Sequence, residues 1–193
     1  AREVTGLAMA DAVLWSSSID GSIRIWNLAT GECQHAITTA SANPQQPGQT
    51  PAAAPGQGHK DAVTSLLPFS SPAGTFILSS SLDGDIKAWN GATGQCVASE
   101  SHGEGVVTMA MGTDPKNNQV LLVGLVSGNI MVRNLVQTPQ MPAFTLIMVL
   151  STQYSVGHRG SVKALAQGPA STFYSGGSDG KVNVMQFVGD LGI

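Results

Sequence analysis

The chain has 193 residues, only 11% of them charged, and a net charge of −3. A sequence-independent nucleic-acid binder needs a strongly basic surface, so the composition argues against that class for this region. Two cysteines are too few for a disulfide-stapled scaffold. The most apolar run, residues 143–150, is too short for a membrane-spanning helix, which needs about 20 residues, and the first residues do not resemble a secretory signal.

Four segments repeat one pattern of strand, tight turn and strand. They are residues 16–33, 79–96, 122–135 and 174–187, with turns at Asp20-Gly21, Asp83-Gly84, Ser127-Gly128 and Asp179-Gly180. An Asp-Gly pair between alternating runs predicts a β-hairpin whose two central residues both have positive φ. His59, His102 and His158 precede the last three turns by 21 to 25 residues, and a short apolar strand follows each. We therefore predict four short strands per unit and no helix.

The second unit, GHKDAV…SSSLDGDIKAWN, resembles a WD repeat, the blade of a β-propeller. The resemblance covers nearly the whole chain outside one insert. It implies an all-β fold, a β-propeller of four-stranded antiparallel blades, with about four blades in this chain and seven in the complete ring.

The same resemblance implies a structural hydrogen-bond group in each blade. The matching residues are His59, Ser79 (or Ser81, which has the same facing), Asp83 and Trp89 in the second unit, His158 and Asp179 in the fourth, and Asp20 and Trp26 in the first. The third unit has Ser127 and Arg133 where the others have Asp and Trp, and the fourth has Met185 for Trp. We expect these two blades to be less rigid.

The predicted boundaries follow the repeats. The first blade, with an incomplete start, covers 1–38, the second 58–100, a degenerate third 101–150, and a fourth without its last strand 157–188. An insert at 39–57, rich in Ala, Pro, Gln and Gly, predicts a disordered loop. Because open sheet edges are a liability, we expect the C-terminal part of a larger propeller, with remaining blades elsewhere in the full-length protein. A self-closing four-bladed ring and two self-associated halves are the alternatives.

Catalytic chemistry is not predicted. No G-x-S-x-G motif or phosphate-binding loop is present, and the turn aspartates recur in one structural position. Cys33 and His35 could suggest a metal pair, but zinc needs about four ligands and no others cluster in sequence. Cys33 and Cys96 occupy equivalent places, which favours a packing role. We predict no catalytic residue, no metal and no cofactor.

A partner-binding face is the positive expectation. In propellers the loops at one side form a shared surface, and matching positions between units collect a set of mostly small or apolar residues there. They are Thr5, Ile19, Ala62, Thr64, Leu82, Gly105, Val107, Val126, Ser161, Lys163 and Ser178. Such a surface suits a protein or peptide better than a phosphate backbone. The alternative is an inert rim.

We therefore predict a non-enzymatic scaffold for protein–protein interaction, cytoplasmic or nuclear, without membrane contact. A finer resemblance, carried by LLVGLVSGNIMVRNL and FYSGGSDGKVNVMQF, is to plant and algal WD-repeat proteins with CCCH zinc fingers. It implies RNA binding only through regions outside this chain. A second alternative is a substrate adaptor of a ubiquitin ligase that grips a phosphorylated peptide. Recognition of a phosphate needs several converging arginines, whereas Lys163 is the only basic residue of the predicted face.

Overall fold

The structure, a computed structural model, describes residues 2–10, 12–39, 57–71, 74–137, 142–189 and 191. Over these residues the fold is all-β with antiparallel sheets, which confirms the predicted class. The insert predicted at 39–57 lies outside the described residues except at its two ends.

Fifteen strands are present in the described part of the chain. The first eight are β1 Val4–Ala10, β2 Val13–Ser18, β3 Ile23–Asn27, β4 Cys33–Ile37, β5 Val63–Ser71, β6 Gly74–Ser81, β7 Asp85–Asn90 and β8 Cys96–Ser101. The other seven are β9 Val106–Thr113, β10 Gln119–Leu125, β11 Ile130–Gln137, β12 Pro142–Leu150, β13 Val162–Gln167, β14 Thr172–Gly177 and β15 Val182–Gln186.

Within each sheet, every strand pairs with its neighbours in sequence. Sheet 1 contains β1–β4, sheet 2 contains β5–β8 and sheet 3 contains β9–β12, each with four strands in chain order. Sheet 4 has the order β13-β14-β15, and the described residues provide no fourth strand for it. All these pairings are antiparallel, so each sheet is a simple meander.

The hairpins between the second and third strand of each sheet differ from the predicted turn. Only the glycines have positive φ, for example 81° at Gly21 and 88° at Gly84, so the expectation of two positive φ angles is wrong. Ser18 and Ser22 close a three-residue loop, because the Ser18 amide donates to Ser22 and the Gly21 amide donates to Ser18. This is the loop in which a tight turn is followed by one left-handed residue, usually glycine. The Asp20 carboxylate then accepts the Ser22 amide at 3.0 Å.

One short helical segment contradicts the prediction of no helix. Residues Thr152–Tyr154 form a 3-10 turn between β12 and β13. The amides of Tyr154 and Ser155 donate to the carbonyls of Ser151 and Thr152, and Ser155 ends the turn in the left-handed region at φ 61°. A single turn of this kind has no apolar periodicity, so the sequence pattern does not reveal it.

The described residues form two compact units, one ending at Gly103 and one starting at Glu104. In the N-terminal unit the sheets pack through alternating apolar residues, with Trp15 and Ile25 of sheet 1 in one core cluster with Ile77 and Trp89 of sheet 2.

The C-terminal unit has its own core. Val120, Leu122 and Val132 of sheet 3 form a cluster with Phe173 and Phe187, whose ring centroids are 5.0 Å apart.

Candidate functional site

Sheet 2 joins the four predicted polar residues in one hydrogen-bonded group. His59, in the loop before β5, places Nδ1 3.1 Å from the Asp83 carboxylate and Nε2 2.7 Å from the Ser79 hydroxyl. The Trp89 indole N–H donates to the same hydroxyl at 2.7 Å. Ser81 is not part of the group, since its hydroxyl donates to the carbonyl of Asp61 at 3.0 Å. The group ties the entering loop, the hairpin and the third strand together.

Burial and hydrogen bonding set the charge of this group. Burial lowers the pKa of His59 because it disfavours the imidazolium, although the Asp83 charge opposes this. Burial would raise the pKa of Asp83, but hydrogen bonds from the amides of Asp85 and Lys60, together with His59, leave that pKa below its usual value. The structure thus favours a neutral imidazole beside an ionised carboxylate.

Sheet 4 repeats the group without an indole. His158 Nδ1 lies 3.0 Å from Asp179, and Nε2 lies 2.8 Å from the Ser175 hydroxyl. Met185, which is half-buried, replaces the tryptophan. Burial would raise the pKa of Asp179, but hydrogen bonds from the Arg159 amide, from His158 and from the Lys181 amide lower it to about 2.

Sheet 1 holds a part of the same group. The Trp26 indole donates to the Ser16 hydroxyl at 2.9 Å. Asp20 accepts the Ser22 hydroxyl at 2.6 Å, and this bond is the main reason that the pKa of Asp20 is lowered. The two predicted residues, Trp26 and Asp20, are therefore bound to different serines among the described residues.

Sheet 3 builds the loop-to-hairpin contact with different residues. Glu104, in the entering loop, accepts the Ser127 amide at 3.0 Å and the Ser127 hydroxyl at 2.9 Å. Arg133, at the tryptophan position, is buried and donates to the Phe144 carbonyl at 3.1 Å. In sheet 3 the loop therefore supplies the carboxylate, whereas in sheet 2 the hairpin supplies it, and both sheets have a hydrogen-bonded contact between loop and hairpin.

Three members of these groups were not predicted. Ser16 and Ser175 precede their aspartates by four residues, as Ser79 precedes Asp83, so this spacing could have found them. No comparable spacing identifies Glu104, because its hydrogen bonds to Ser127 become evident only in the folded structure, where the loop contacts the hairpin.

The hairpins also place one residue of each sheet in an equivalent, outward position. In every sheet the amide of this residue donates to a carbonyl of the chain that enters the first strand. The pairs are Ile19 with Glu3, Leu82 with Ala62, Val126 with Gly105, and Ser178 with Ser161. The side chains of Ile19, Leu82 and Val126 remain 43%, 42% and 46% exposed, and Ser178 is exposed too. One backbone bond thus holds the same position in every sheet.

A β-bulge recurs beside each of these positions. The pairing of the first strand shifts at Thr5, Thr64, Val107 and Lys163. A bulge re-aims its extra residue relative to the regular alternation. In the N-terminal unit the bulge hydroxyls are bonded, Thr5 to Ser17 and Thr64 to Ser80, both at 2.9 Å. Lys163 is exposed, and Val107 and Ser161 are half-buried.

Ala62 corrects the predicted face. Its side chain is only 6% exposed, so it does not contribute to an accessible surface. Its carbonyl instead positions Leu82 through the backbone. We call the remaining residues the hairpin-end positions. They are Thr5, Ile19, Thr64 and Leu82 in the N-terminal unit, and Gly105, Val107, Val126, Ser161, Lys163 and Ser178 in the C-terminal unit.

Over the part of the chain that the structure describes, no group of three or more His, Cys, Asp or Glu residues is placed to hold a metal ion. Cys33 and Cys96 lie at the starts of β4 and β8, and each thiol contacts a carbonyl two residues further on. Burial raises the pKa of Cys96, which disfavours the reactive thiolate. Among the described residues, no helix is long and apolar enough to cross a membrane.

Comparisons with known proteins agree with this architecture. Residues 55–90 and 149–184 match the family model described as WD domain, G-beta repeat. None of the curated proteins compared matches the chain significantly. Nothing in the comparisons supports the CCCH zinc-finger family.

Solved structures match over nearly the whole chain. The computationally designed Ika4 protein is 24% identical, with 97% of this chain and 92% of that chain covered and a TM-score of 0.66. The computationally designed Ika8 protein is 25% identical, with 95% and 45% covered and a TM-score of 0.62. The WD40 repeats of RRP9 are 21% identical, with 95% and 48% covered and a TM-score of 0.67.

This chain therefore spans a little under half the length of the last two structures and most of the first. The His–Asp–Ser–Trp group and the meander sheets agree with these matches: two segments of the chain match WD repeats, and its sheets resemble the blades of a WD40 β-propeller.

Proposed function

We propose that this chain is a non-catalytic WD40 scaffold that binds a protein or peptide through its hairpin-end positions. One observation carries the proposal. Ile19, Leu82 and Val126 keep 43%, 42% and 46% of their surface exposed although each is pinned by a backbone hydrogen bond. Because the backbone at these positions is already held in place, less conformational entropy is lost there when a partner binds.

The chemistry of these positions favours a protein partner over a nucleic acid. Among the hairpin-end positions described, Lys163 is the only cation, and the chain as a whole carries a net charge of −3. Phosphate recognition depends on several converging Arg or Lys side chains. Within each unit, the exposed aliphatic side chains and the hydroxyl groups among these positions are instead typical of a protein interface, which has an apolar centre and a polar rim.

The groups that look catalytic are engaged in the fold. His59 contacts Asp83 and Ser79, and His158 contacts Asp179 and Ser175, with both imidazoles almost completely buried. Each set joins a loop to a hairpin, which accounts for its recurrence. This supports a structural role and a scaffold without enzymatic activity.

We also propose that further blades of the full-length protein cover the open faces of sheets 1 and 4. Val182 and Val184 of sheet 4 are 72% and 66% exposed, whereas Ile23 and Ile25, at the same positions in sheet 1, are 0% and 3% exposed against sheet 2. Leu7 on the other face of sheet 1 is 63% exposed. Surfaces of this kind are buried between neighbouring blades in the N-terminal unit.

Charge substitutions at the hairpin-end positions test the scaffold proposal. Leu82→Glu and Val126→Glu should abolish the capture of specific partners, measured by quantitative affinity purification of the full-length protein. Ala92→Glu is the matched control, because Ala92 is exposed in the β7–β8 turn at the other end of sheet 2. All three should unfold within about 0.5 kcal/mol of the parent. Unchanged partners in both test variants would rule out the hairpin-end positions.

The finer assignments rest on sequence resemblance alone. RNA association through regions outside this chain, substrate recognition for a ubiquitin ligase, and a cytoplasmic or nuclear location stay predictions, and no contact among the described residues adds to them.

A further inference from the structure

Sheet 4 differs from the other sheets in the charge at its hairpin end. Residues 142–189 contain three cations, Arg159, Lys163 and Lys181, and all three are exposed. The same range contains one carboxylate residue, Asp179. Three positive charges and one negative charge give this segment a net charge of +2, although the chain as a whole carries −3.

The backbone brings two of these cations to one carboxylate. Arg159 lies in the loop before β13, and Lys181 directly precedes β15. Their amides donate to the two oxygens of Asp179, at 3.0 Å from Arg159 and 3.2 Å from Lys181. The loop and the hairpin of sheet 4 therefore hold a guanidinium and an ammonium group on side chains that begin at the same contact.

Lys163 joins them through the β-bulge of β13, in which it is the extra residue. It follows Ser161 by two residues, and the Ser161 carbonyl accepts the Ser178 amide at 2.9 Å. Asp179 is the next residue of the hairpin after Ser178. The three cations are thus placed around one contact between the entering loop and the hairpin.

Asp179 does not pair with the cationic side chains. Its side chain is only 11% exposed and lies 3.0 Å from His158 Nδ1, and its other donors are backbone amides. Among the described residues, no carboxylate lies within ion-pair distance of Arg159, Lys163 or Lys181. The three cations are therefore exposed without an acidic partner in the described part of the chain.

The repeat does not require the two lysines. Sheets 1, 2 and 3 build the same bulge and the same hairpin with neutral or acidic residues at these positions. Where sheet 4 has Lys163 and Lys181, sheet 1 has Thr5 and Ser22, sheet 2 has Thr64 and Asp85, and sheet 3 has Val107 and Asn129. The positive charge is therefore a property of sheet 4 and is not needed to form a blade.

Sheet 3 places an aliphatic side chain beside these cations, within the same C-terminal unit. The Gly128 carbonyl accepts the His158 amide at 3.0 Å, so the hairpin of sheet 3 contacts the loop that carries Arg159. A side chain at Gly128 would overlap the carbonyls of His158 and Gly160, so the two segments are in close contact. Val126, which is 46% exposed, lies two residues before Gly128 in that hairpin.

From this placement we propose that the hairpin end of sheet 4 binds an acidic segment of a partner protein. Asp or Glu side chains of the partner contact Arg159, Lys163 and Lys181, and a neighbouring apolar side chain covers Val126. The inference rests on the proposed function and adds the chemistry of the partner. Complementary charge of this kind speeds association and selects the partner more than it raises affinity. A protein segment is favoured over a nucleic acid because a phosphate backbone offers Val126 no apolar side chain.

The first test measures the binding of defined peptides to the full chain by fluorescence anisotropy. The probe is a labelled peptide with Asp and Glu residues on both sides of one Leu, and the control peptide has Asn and Gln instead. We expect the acidic peptide to bind at least about tenfold more tightly at low salt and to weaken as salt is added. Equal binding of the two peptides, or no binding of either, would overturn the proposal. An oligonucleotide of the same charge that binds as tightly as the acidic peptide would overturn it too.

Three protein variants place the peptide on the structure. Lys181→Glu should weaken the acidic peptide by about tenfold, and Lys163→Thr, which introduces the residue of sheet 2, by about threefold. Lys60→Glu is the matched control, because Lys60 is exposed and has in sheet 2 the position of Arg159. It makes the same charge change as Lys181→Glu and should leave binding unchanged. An equal loss in Lys60→Glu would mean that net charge alone attracts the peptide, which contradicts a site on sheet 4.

Circular dichroism checks the folding of each variant, and Lys163→Thr keeps the test decisive if Lys181→Glu unfolds. Partner capture by the full-length protein separates this inference from the scaffold proposal. Loss of partners in Val126→Glu, with unchanged partners in both lysine variants, would leave the scaffold proposal standing and overturn the acidic segment. Unchanged partners in Leu82→Glu and Val126→Glu, with the acidic peptide lost in both lysine variants, would overturn the aliphatic positions and retain the basic site.

Discussion

Sheets 2 and 4 use the same imidazole, carboxylate and hydroxyl, and differ in what surrounds them. His59 and His158 make nearly identical bonds, with Nε2 to serine distances of 2.7 and 2.8 Å. In sheet 2 the Ser79 hydroxyl also accepts the Trp89 indole N–H, and a fourth strand pairs with β7 and places Cys96 opposite Trp89. In sheet 4 Met185 donates no hydrogen bond, and no described strand lies beyond β15.

The histidine group and the indole have separate roles, because sheet 2 contains both and sheet 4 contains only the histidine group. The histidine group fastens the entering loop to the hairpin, and it forms whether or not the outer part of the sheet is complete. The indole connects that group to the third and fourth strands. Sheet 4 therefore retains the contact between its entering loop and its hairpin, although Met185 replaces the indole.

The largest effect is expected from removal of the histidine in sheet 2. His59→Leu leaves the Asp83 carboxylate and the Ser79 hydroxyl without their shared partner, so we expect a loss of about 3 kcal/mol in the free energy of unfolding. Urea unfolding followed by tryptophan fluorescence measures this directly, because all three tryptophans lie in the N-terminal unit.

The corresponding variant in sheet 4, His158→Leu, tests whether the two histidine groups contribute equally to stability. His158→Leu should cost less, since the Ser175 group has no indole to lose and Asp179 is more exposed than Asp83. Hydrogen exchange of the β13–β15 amides reports this effect. Equal losses in the two variants would mean that the indole adds nothing to the group.

A smaller effect is expected when the indole itself is changed. Trp89→Phe removes one buried hydrogen bond while it keeps most of the packing, and should cost about 1.5 kcal/mol. Met185→Trp offers an indole to Ser175 and should slow exchange of the β15 amides by roughly 1 kcal/mol of added local stability. If Met185→Trp instead accelerates hydrogen exchange of the β15 amides, the apolar cavity that Met185 lines with Phe173 and Phe187 does not accommodate an indole ring.

Mild acidification should give the smallest change in stability, and the tryptophans report it in the N-terminal unit. Because burial lowers the pKa of His59, the unfolded state binds a proton first as pH falls through about 6.5, and stability decreases from there downward. The lowered pKa of Asp83 adds a further loss below about pH 4. Tryptophan-monitored unfolding at pH 7.5 and 5.5 should show the first loss, and His59→Leu should remove it. A parent protein with constant stability over this range would contradict the neutral, buried imidazole.

Much of the fold follows from local sequence patterns. The Asp-Gly pairs and the alternating strands around them predicted the hairpins, since turn chemistry and period-two patterning act over a few residues. The spacing of His59 and Asp83 marked a group that the structure indeed brings together. The positions of Ile19, Leu82 and Val126 at the hairpins followed from the same repeat.

What escaped prediction depends on pairing between strands. The bulges at Thr5 and Thr64 arise from a shift in register that the alternation does not encode. The turn type was wrong because the Asp20 side chain bonds the amide two residues on, with only Gly21 at positive φ. Burial of Ala62 depends on neighbouring backbone, and the cavity beside β15 depends on side chains from two sheets.

The exchange between Glu104 and Ser127 has a consequence for how such repeats are counted. In sheets 2 and 4 the hairpin supplies the carboxylate and the loop supplies an amide, at Lys60 and Arg159, whereas sheet 3 reverses the two contributions. The two segments that match the WD model include most of sheets 2 and 4, whereas sheets 1 and 3 lie outside them, apart from the end of β12. Sheet 3 shows that the contact between loop and hairpin persists when neither the Asp nor the Trp of the repeat is present.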